Sequence, residues 1–218
     1  MRDGHVVREQ GGDESREQAE RLPGELATLL ERESVALQEV DCFAVATGPG
    51  SFTGLRVGIA TVQGLAIAMG KPLIGVSAFD ALAMLCGVVN PEERGVTPQA
   101  GPSDGGLHVR GAPRVTAWIN AWRGEVFSAT YEEGRGLEAA VVARPEDLLA
   151  RLNRQATIFT GDGAGRHQEL IRATLGDAAR LTDPVAPLLA GAIAQLAGEA
   201  FRAGQCPPPH AIRPIYVR

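Results

Sequence analysis

Residues 47–69, TGPGSFTGLRVGIATVQGLAIAM, leave few options for the chain that carries them. A Gly-Pro-Gly turn and Ser51 open the segment, and an apolar stretch with helical spacing follows. Small residues recur at every fourth position. Gly54 and Gly58 form one row, and Ala60, Gly64 and Ala68 form a second. Glycine inside a helix costs about 1 kcal/mol relative to alanine, so three of them call for compensation. Small side chains four apart stack on one face and let another backbone come close. Two arrangements satisfy this: tight packing of the helix on its own sheet, or contact with a helix of a partner chain.

The net charge of −5 argues against a stand-alone nucleic-acid binder that lives on phosphate contacts. A larger RNA-handling complex could still contain the chain, with a partner supplying the basic surface. With 44% hydrophobic and 22% charged residues among 218, the composition is that of a globular protein with a real core. Lys71 is the only lysine, and no role is attached to that skew. Cys42, Cys86 and Cys206 are odd in number and far apart, which indicates neither a disulfide framework nor a zinc site. No signal-peptide pattern and no apolar run of about 18 residues is read in the chain, so a cytoplasmic location is expected.

Residues 4–8 resemble the tail of a hairpin whose turn is Asp3-Gly4. A helix is expected over 15–33, with Leu22, Leu26, Leu29 and Leu30 on one face and Pro23-Gly24 kinking it or splitting off its first turn. Strands at 42–46 and 72–76 flank the long helix of 51–69, and Ser77 should cap a helix over 78–85. Strand, helix, strand, helix in this order is an α/β signal with parallel pairing. Residues 90–113 are rich in proline and glycine and read as a flexible insertion. Beyond it, 114–120 and 125–131 form an antiparallel pair joined by 121–124. A helix at 145–152, a strand at 157–160, a tight turn at 161–163, a helix at 187–203 and a short strand at 215–217 complete the reading.

The chemistry on offer is sparse. Gly48, Gly50 and Ser51 sit between a strand and a helix N-terminus, where backbone N–H groups and the helix dipole can hold an anion. The turn is neither a Walker A loop nor G-x-G-x-x-G, and glycine turns of this kind are common without ligands. Arg56, one turn further on, suits an anion, a partner carboxylate or plain solvent. Gly161-Asp162-Gly163 is a second candidate turn for a nucleotide, or simply a turn. The four histidines are isolated, so no metal centre is expected. No nucleophile elbow appears, and Glu132-Glu133 face opposite ways at a strand end. No catalytic residue is assigned.

Taken together, residues 47–68 with Gly75-Val76-Ser77 resemble the TsaB (YeaZ) family. Ala19-Glu20-Arg21-Leu22, AWINAWRGEV over 117–126, Gly161-Asp162-Gly163-Ala164 and the closing PIYVR add to the match. Members are the dimerisation subunit of the bacterial machinery that makes N6-threonylcarbamoyladenosine in tRNA. The resemblance implies an α/β actin/hexokinase-like (ribonuclease-H-like) fold with two lobes, divided here as 1–89 and 114–218 around the 90–113 insertion. It also implies a first lobe lacking its first two strands, since the family's opening I-L-A-I-D-T strand and the next one have no counterpart. By this resemblance the chain is a non-catalytic subunit that pairs with a TsaD-type catalytic subunit, works beside a TsaE-type ATPase, and forms a homodimer when alone. Contact with tRNA would come only through the complex. The pairing would use a helix bundle, with Leu22, Leu26, Ser51, Gly54, Leu55, Gly58, Val62 and Leu65 at the partner interface. No cofactor is assigned to the chain itself, ATP or ADP at the partner interface being the open alternative. The competing function is an ATP-binding phosphotransferase or ATPase of the same fold. Asn120 and Trp122 stand where the family has Asp and Arg.

Overall fold

The computed structural model describes residues 1–12, 18–89, 114–132, 135–152 and 155–217. Along the chain run α1 (Gln18–Arg32), β1 (Phe43–Gly48), α2 (Phe52–Met69), β2 (Leu73–Ser77) and α3 (Ala78–Leu85). Beyond residue 113 come β3 (Arg114–Trp122), β4 (Glu125–Glu132), β5 (Arg135–Gly136), β6 (Val141–Ala143), α4 (Pro145–Arg151) and β7 (Thr157–Thr160). They are followed by α5 (Asp162–Arg166), α6 (Gln168–Leu175), β8 (Ala179–Leu181) and α7 (Ala190–Arg202). The elements fall into two compact units. One is Met1–Ala78 with Leu188–Ile215, the other Phe79–Pro187 with Tyr216–Arg218. The sequence-based division was contiguous; these units are not, because α7 joins the first.

In the first unit β1 and β2 pair in parallel, in register from Phe43↔Leu73 to Ala46↔Val76. Parallel strands need a crossover, and α2 supplies it. Leu73, Ile74, Gly75 and Val76 are all buried, which is why β2 reads as an unbroken apolar run rather than an alternating one. Ile59 and Ala66 of α2 close over Leu73 and Ile212, with Phe43, Val45 and Val62 at the margin. α1 lies against α2, and α7 against β1 and β2. Pro23 does not split α1, which is one helix from Gln18 to Arg32. The ring removes only the rung to Ala19, close to an end where several N–H groups lack partners anyway.

Asp3 and Gly4 both have positive φ (50° and 83°), and Arg2 and His5 exchange both backbone hydrogen bonds at 2.9 Å, so the expected turn is present. The chain after it follows α7. The Glu9 carboxylate accepts from the Gly191 N–H at 2.6 Å, and a Cβ added at Gly191 would lie 3.2 Å from Val6. Arg8 pairs with Glu33.

The second unit is built on a mixed six-stranded sheet in the order β5-β4-β3-β7-β8, with β6 also on β4. The expected hairpin is there: β3 and β4 are antiparallel from Val115↔Tyr131 to Trp122↔Glu125, with a bulge between Asn120 and Trp122. β7 adds to β3 in parallel. The core joins Trp118, Val126, Leu148, Leu149, Phe159, Ala164, Ile171 and Leu175. Trp118 and Phe159 meet edge to face with centroids 5.3 Å apart, and the indole N–H donates to Ser128 Oγ at 3.0 Å. Tyr131, equally buried, donates its hydroxyl to Asp80 at 2.8 Å.

Two expectations need correction here. Residues 215–217 form no strand, although the Ile215 N–H does donate to the Thr47 carbonyl at 2.8 Å. Residues 161–163 are not a free-standing turn, since Gly161 is the N-cap of α5. β5, β6 and β8 were not anticipated, and the helix expected after residues 161–164 is split into α5 and α6. The three strands run to three residues at most, too short to show a period. The 90–113 insertion lies outside the described residues.

Candidate functional site

β1 ends in a backbone that only glycine accepts. Gly48 has φ 111°, and a Cβ there would sit 2.9 Å from Leu55 Cδ1 and 3.1 Å from the Ile215 carbonyl oxygen. A cis Gly48–Pro49 bond follows, and Thr47, Gly48 and Pro49 are buried. Ser51 then caps α2, its hydroxyl accepting from the Gly54 N–H at 3.2 Å. One of the donors that an anion would use is thereby engaged. Arg56 lies over the Phe52 ring, its guanidinium carbon 3.8 Å from the centroid. Gly70, left-handed at φ 62°, closes the helix by donating to Ala66 and Ile67.

The faces of α2 sort its two small-residue rows. Gly58, Ile59 and Ala66 are buried, while Gly54, Leu55, Val62 and Leu65 are half-buried. Leu22 and Leu26 of α1 are half-buried as well. Exposed are Phe52, Arg56, Ala60, Gly64 and Ala68, each four residues from the last, with Thr53 and Ile67 beside them. Phe52 is 54% exposed and Ile67 63%. A Cβ on Gly64 would meet nothing within 4 Å. Gly58, expected to face a partner, is buried in the chain itself, while Gly54 of the same row is half-buried. The row Ala60–Gly64–Ala68, visible in the sequence but not chosen there, turns outward.

By length and apolar composition α2 alone, among the described residues, could cross a membrane, and only 17% of it is buried. This corrects the expectation that no segment reaches that threshold. Arg56, Gln63 and two threonines are too scattered to offset the apolar residues between them. Gln63 is tied inward, its amide donating to the Pro209 and Ile212 carbonyls at 2.9 and 2.8 Å.

In the second unit, Gly161 has φ 103°, and a Cβ there would lie 3.1 Å from the Trp118 carbonyl carbon. Its N–H donates to the Val185 carbonyl at 2.6 Å. Asp162 accepts from the Gly163 N–H at 2.9 Å and from the Asn120 N–H at 3.1 Å. The N–H groups of Gly161 and Gly163 are thus used internally, and the turn belongs to a different unit from Gly48, Gly50, Ser51 and Arg56. Sequence reasoning missed what Asp162 does do, which is to fasten the β3–β4 hairpin.

No group of metal-ligating side chains forms among the described residues. Burial, with smaller contributions from Cys206 and Asp41, pushes the Cys42 thiol up to about 11. Burial also raises Cys86, against a lowering hydrogen bond with Thr160. Neither thiol is poised as a nucleophile.

A parallel strand–helix–strand crossover in one unit and a mixed sheet in the other define an α/β protein, with a long apolar helix left half uncovered. The family model for TsaD, tRNA N6-adenosine threonylcarbamoyltransferase, matches residues 8–106. The tRNA threonylcarbamoyladenosine biosynthesis protein TsaB of Escherichia coli is 30% identical over 155 residues, covering 69% of this chain and 58% of that protein. TsaB of Bacillus subtilis is 26% identical over 155 residues, covering 68% and 58%. The chain thus spans under three fifths of the length of these relatives. A crystal structure from Pseudomonas aeruginosa, described as an uncharacterized protein with similarity to peptidase YEAZ, superposes with a TM-score of 0.67 at 29% identity, over 93% of this chain and 85% of that one. On sequence and fold alike, the chain is similar to proteins of the TsaB (YeaZ) family.

Proposed function

We propose that this chain is the non-catalytic pairing subunit of an assembly that transfers threonylcarbamoyl to N6 of an adenosine in tRNA. It holds a TsaD-type catalytic subunit through a bundle of α1 and α2 with the equivalent helices of the partner. The observation that carries this reading is the uncovered stripe Phe52–Arg56–Ala60–Gly64–Ala68 on an otherwise apolar helix. Small residues at its centre admit a second helix at short range, while Phe52 and Ile67 give it apolar surface to bury. The TsaD match over residues 8–106 spans this same helix pair, so chain and partner present related surfaces to each other. A second copy can stand in for the partner, which accounts for a homodimer when the chain is alone.

A TsaE-type ATPase joins the assembly, the partners supply the basic surface for tRNA, and the setting is cytoplasmic. The two units act as the two lobes of an actin/hexokinase-like protein. The ATPase reading has less behind it, since the N–H groups of Gly161, Gly163 and Gly54 are occupied within the chain. The test is size-exclusion chromatography with light scattering, on the chain with its cognate TsaD-type protein. A one-to-one complex is expected; separate elution at concentrations well above micromolar refutes the proposal.

A further inference from the structure

We propose that the tip of the β3–β4 hairpin is a stacking contact for an unpaired RNA base, with Trp122 as the platform and Arg123 as the cation beside it. The tip is built in an unusual way. Trp122, Arg123 and Gly124 all have positive φ, at 66°, 54° and 81°. Arg123 and Gly124 are the two central residues of a tight hairpin turn, where that sign is normal. Trp122 precedes them at a bulge, and a bulky aromatic in the left-handed region is an outlier that neighbouring structure has to impose.

That imposition is visible. Asp162 accepts from the Asn120 N–H at 3.1 Å, and the Asn120 side chain accepts from the Trp122 N–H at 3.2 Å. The relay from α5 holds the backbone that carries Trp122. It leaves Trp122 63% exposed, while Trp118, the only other tryptophan, is fully buried.

Trp122 is the only large apolar side chain exposed on β3 and β4. One ring and one guanidinium are too little for a protein interface, which takes about 800 Å² per partner, but they match a single base with its phosphate. The net charge of −5 leaves no general attraction for phosphate, so stacking is the mode of RNA contact open to this chain. The choice of RNA as ligand rests on the tRNA reading above.

The full chain, alone and with its TsaD-type partner, is titrated with three probes: an RNA hairpin with an unpaired loop, the same stem as a closed duplex, and polyphosphate. The part of the tryptophan emission that Trp122→Ala removes reports contact, and labelled RNA gives affinities. The loop RNA should quench the emission while the other two do not. Trp122→Ala should weaken loop binding about tenfold, Trp122→Phe should keep most of it, and Arg123→Ala should lessen the salt dependence. Co-elution of Trp122→Ala with the partner should be unchanged. Equal quenching by all three probes, or equal loop affinity in Trp122→Ala, overturns the proposal. So does a Trp122→Ala chain that binds RNA normally but no longer co-elutes, which assigns the tip to a protein instead. Failure of the unaltered chain to co-elute counts against the assembly reading alone, because the emission of the free chain is read separately.

Discussion

Replacing Gly64 by leucine should push folding and pairing in opposite directions. Gly64 sits mid-way along α2, exposed, with open space where its Cβ would be. Leucine is among the better helix formers and glycine costs about 1 kcal/mol relative to alanine, so the isolated chain should gain close to that amount. For a chain of this length the gain corresponds to a melting temperature higher by about 2–4 °C. In the proposed bundle the same side chain would stand between two helices approaching over Ala60, Gly64 and Ala68. Overfilling a packed contact costs about 1–3 kcal/mol, or roughly 5- to 150-fold in Kd.

Thermal unfolding of the chain at a concentration where it is monomeric gives the first number. Titration of a TsaD-type partner gives the second. A Gly64→Leu chain that is stabilised and still pairs at full affinity refutes the reasoning, because the stripe is then ordinary solvated surface. A fall in melting temperature refutes it at an earlier step, by showing that Gly64 is not open. Gly58→Leu would not serve, since Gly58 is buried and loss of pairing would merely follow loss of the fold.

Gly161→Ala should cost about 2–4 kcal/mol in denaturant unfolding, from φ 103° together with a collision with the Trp118 carbonyl; a loss too small to measure would contradict that geometry. Trp122→Gly should stabilise the chain by about 1 kcal/mol by relieving a left-handed residue, and no gain in the same assay would mean the tip is unstrained. The Cys42 thiol is raised in the folded chain from 9.0 to about 11. The fold thus favours the protonated form, whose contribution is complete below pH 9 and drains away as pH climbs toward 11. Cys42→Ala should therefore show a shallower stability loss across that window than the parent, and identical slopes would disprove the linkage.

Where a sequence signal was strong, the fold followed it. Thr157–Thr160 is the strand expected at those positions, and α2 ends within a residue of its expected limits, because Ser51 and Gly70 are chemical stops as well as pattern breaks. What escaped was of two kinds. The strands β5, β6 and β8 are too short to carry a period. The choice between the Gly58 row and the Gly64 row could not be made from spacing, since both fit one helix equally well. Only the positions of β1, β2 and Ile212 decide which row is inside. The Asp162–Asn120–Trp122 relay was out of reach for a similar reason: Asp162 and Asn120 lie 42 residues apart and belong to different expected elements.

The first unit is interrupted in sequence by the whole of residues 79–187. On a ribosome adding 5–20 residues per second, that stretch takes roughly 5–20 s to emerge. Throughout that interval β1, α2 and β2 exist without α7 or Ile212, and the apolar surfaces they will bury are open to water. The second unit has all its strands in one run and can finish first. Order of synthesis therefore opposes order of completion, and the nascent chain spends its most adhesive moments with its principal apolar helix bare on two sides. A holdase chaperone would matter more to the yield of this protein than to the stability of the finished molecule.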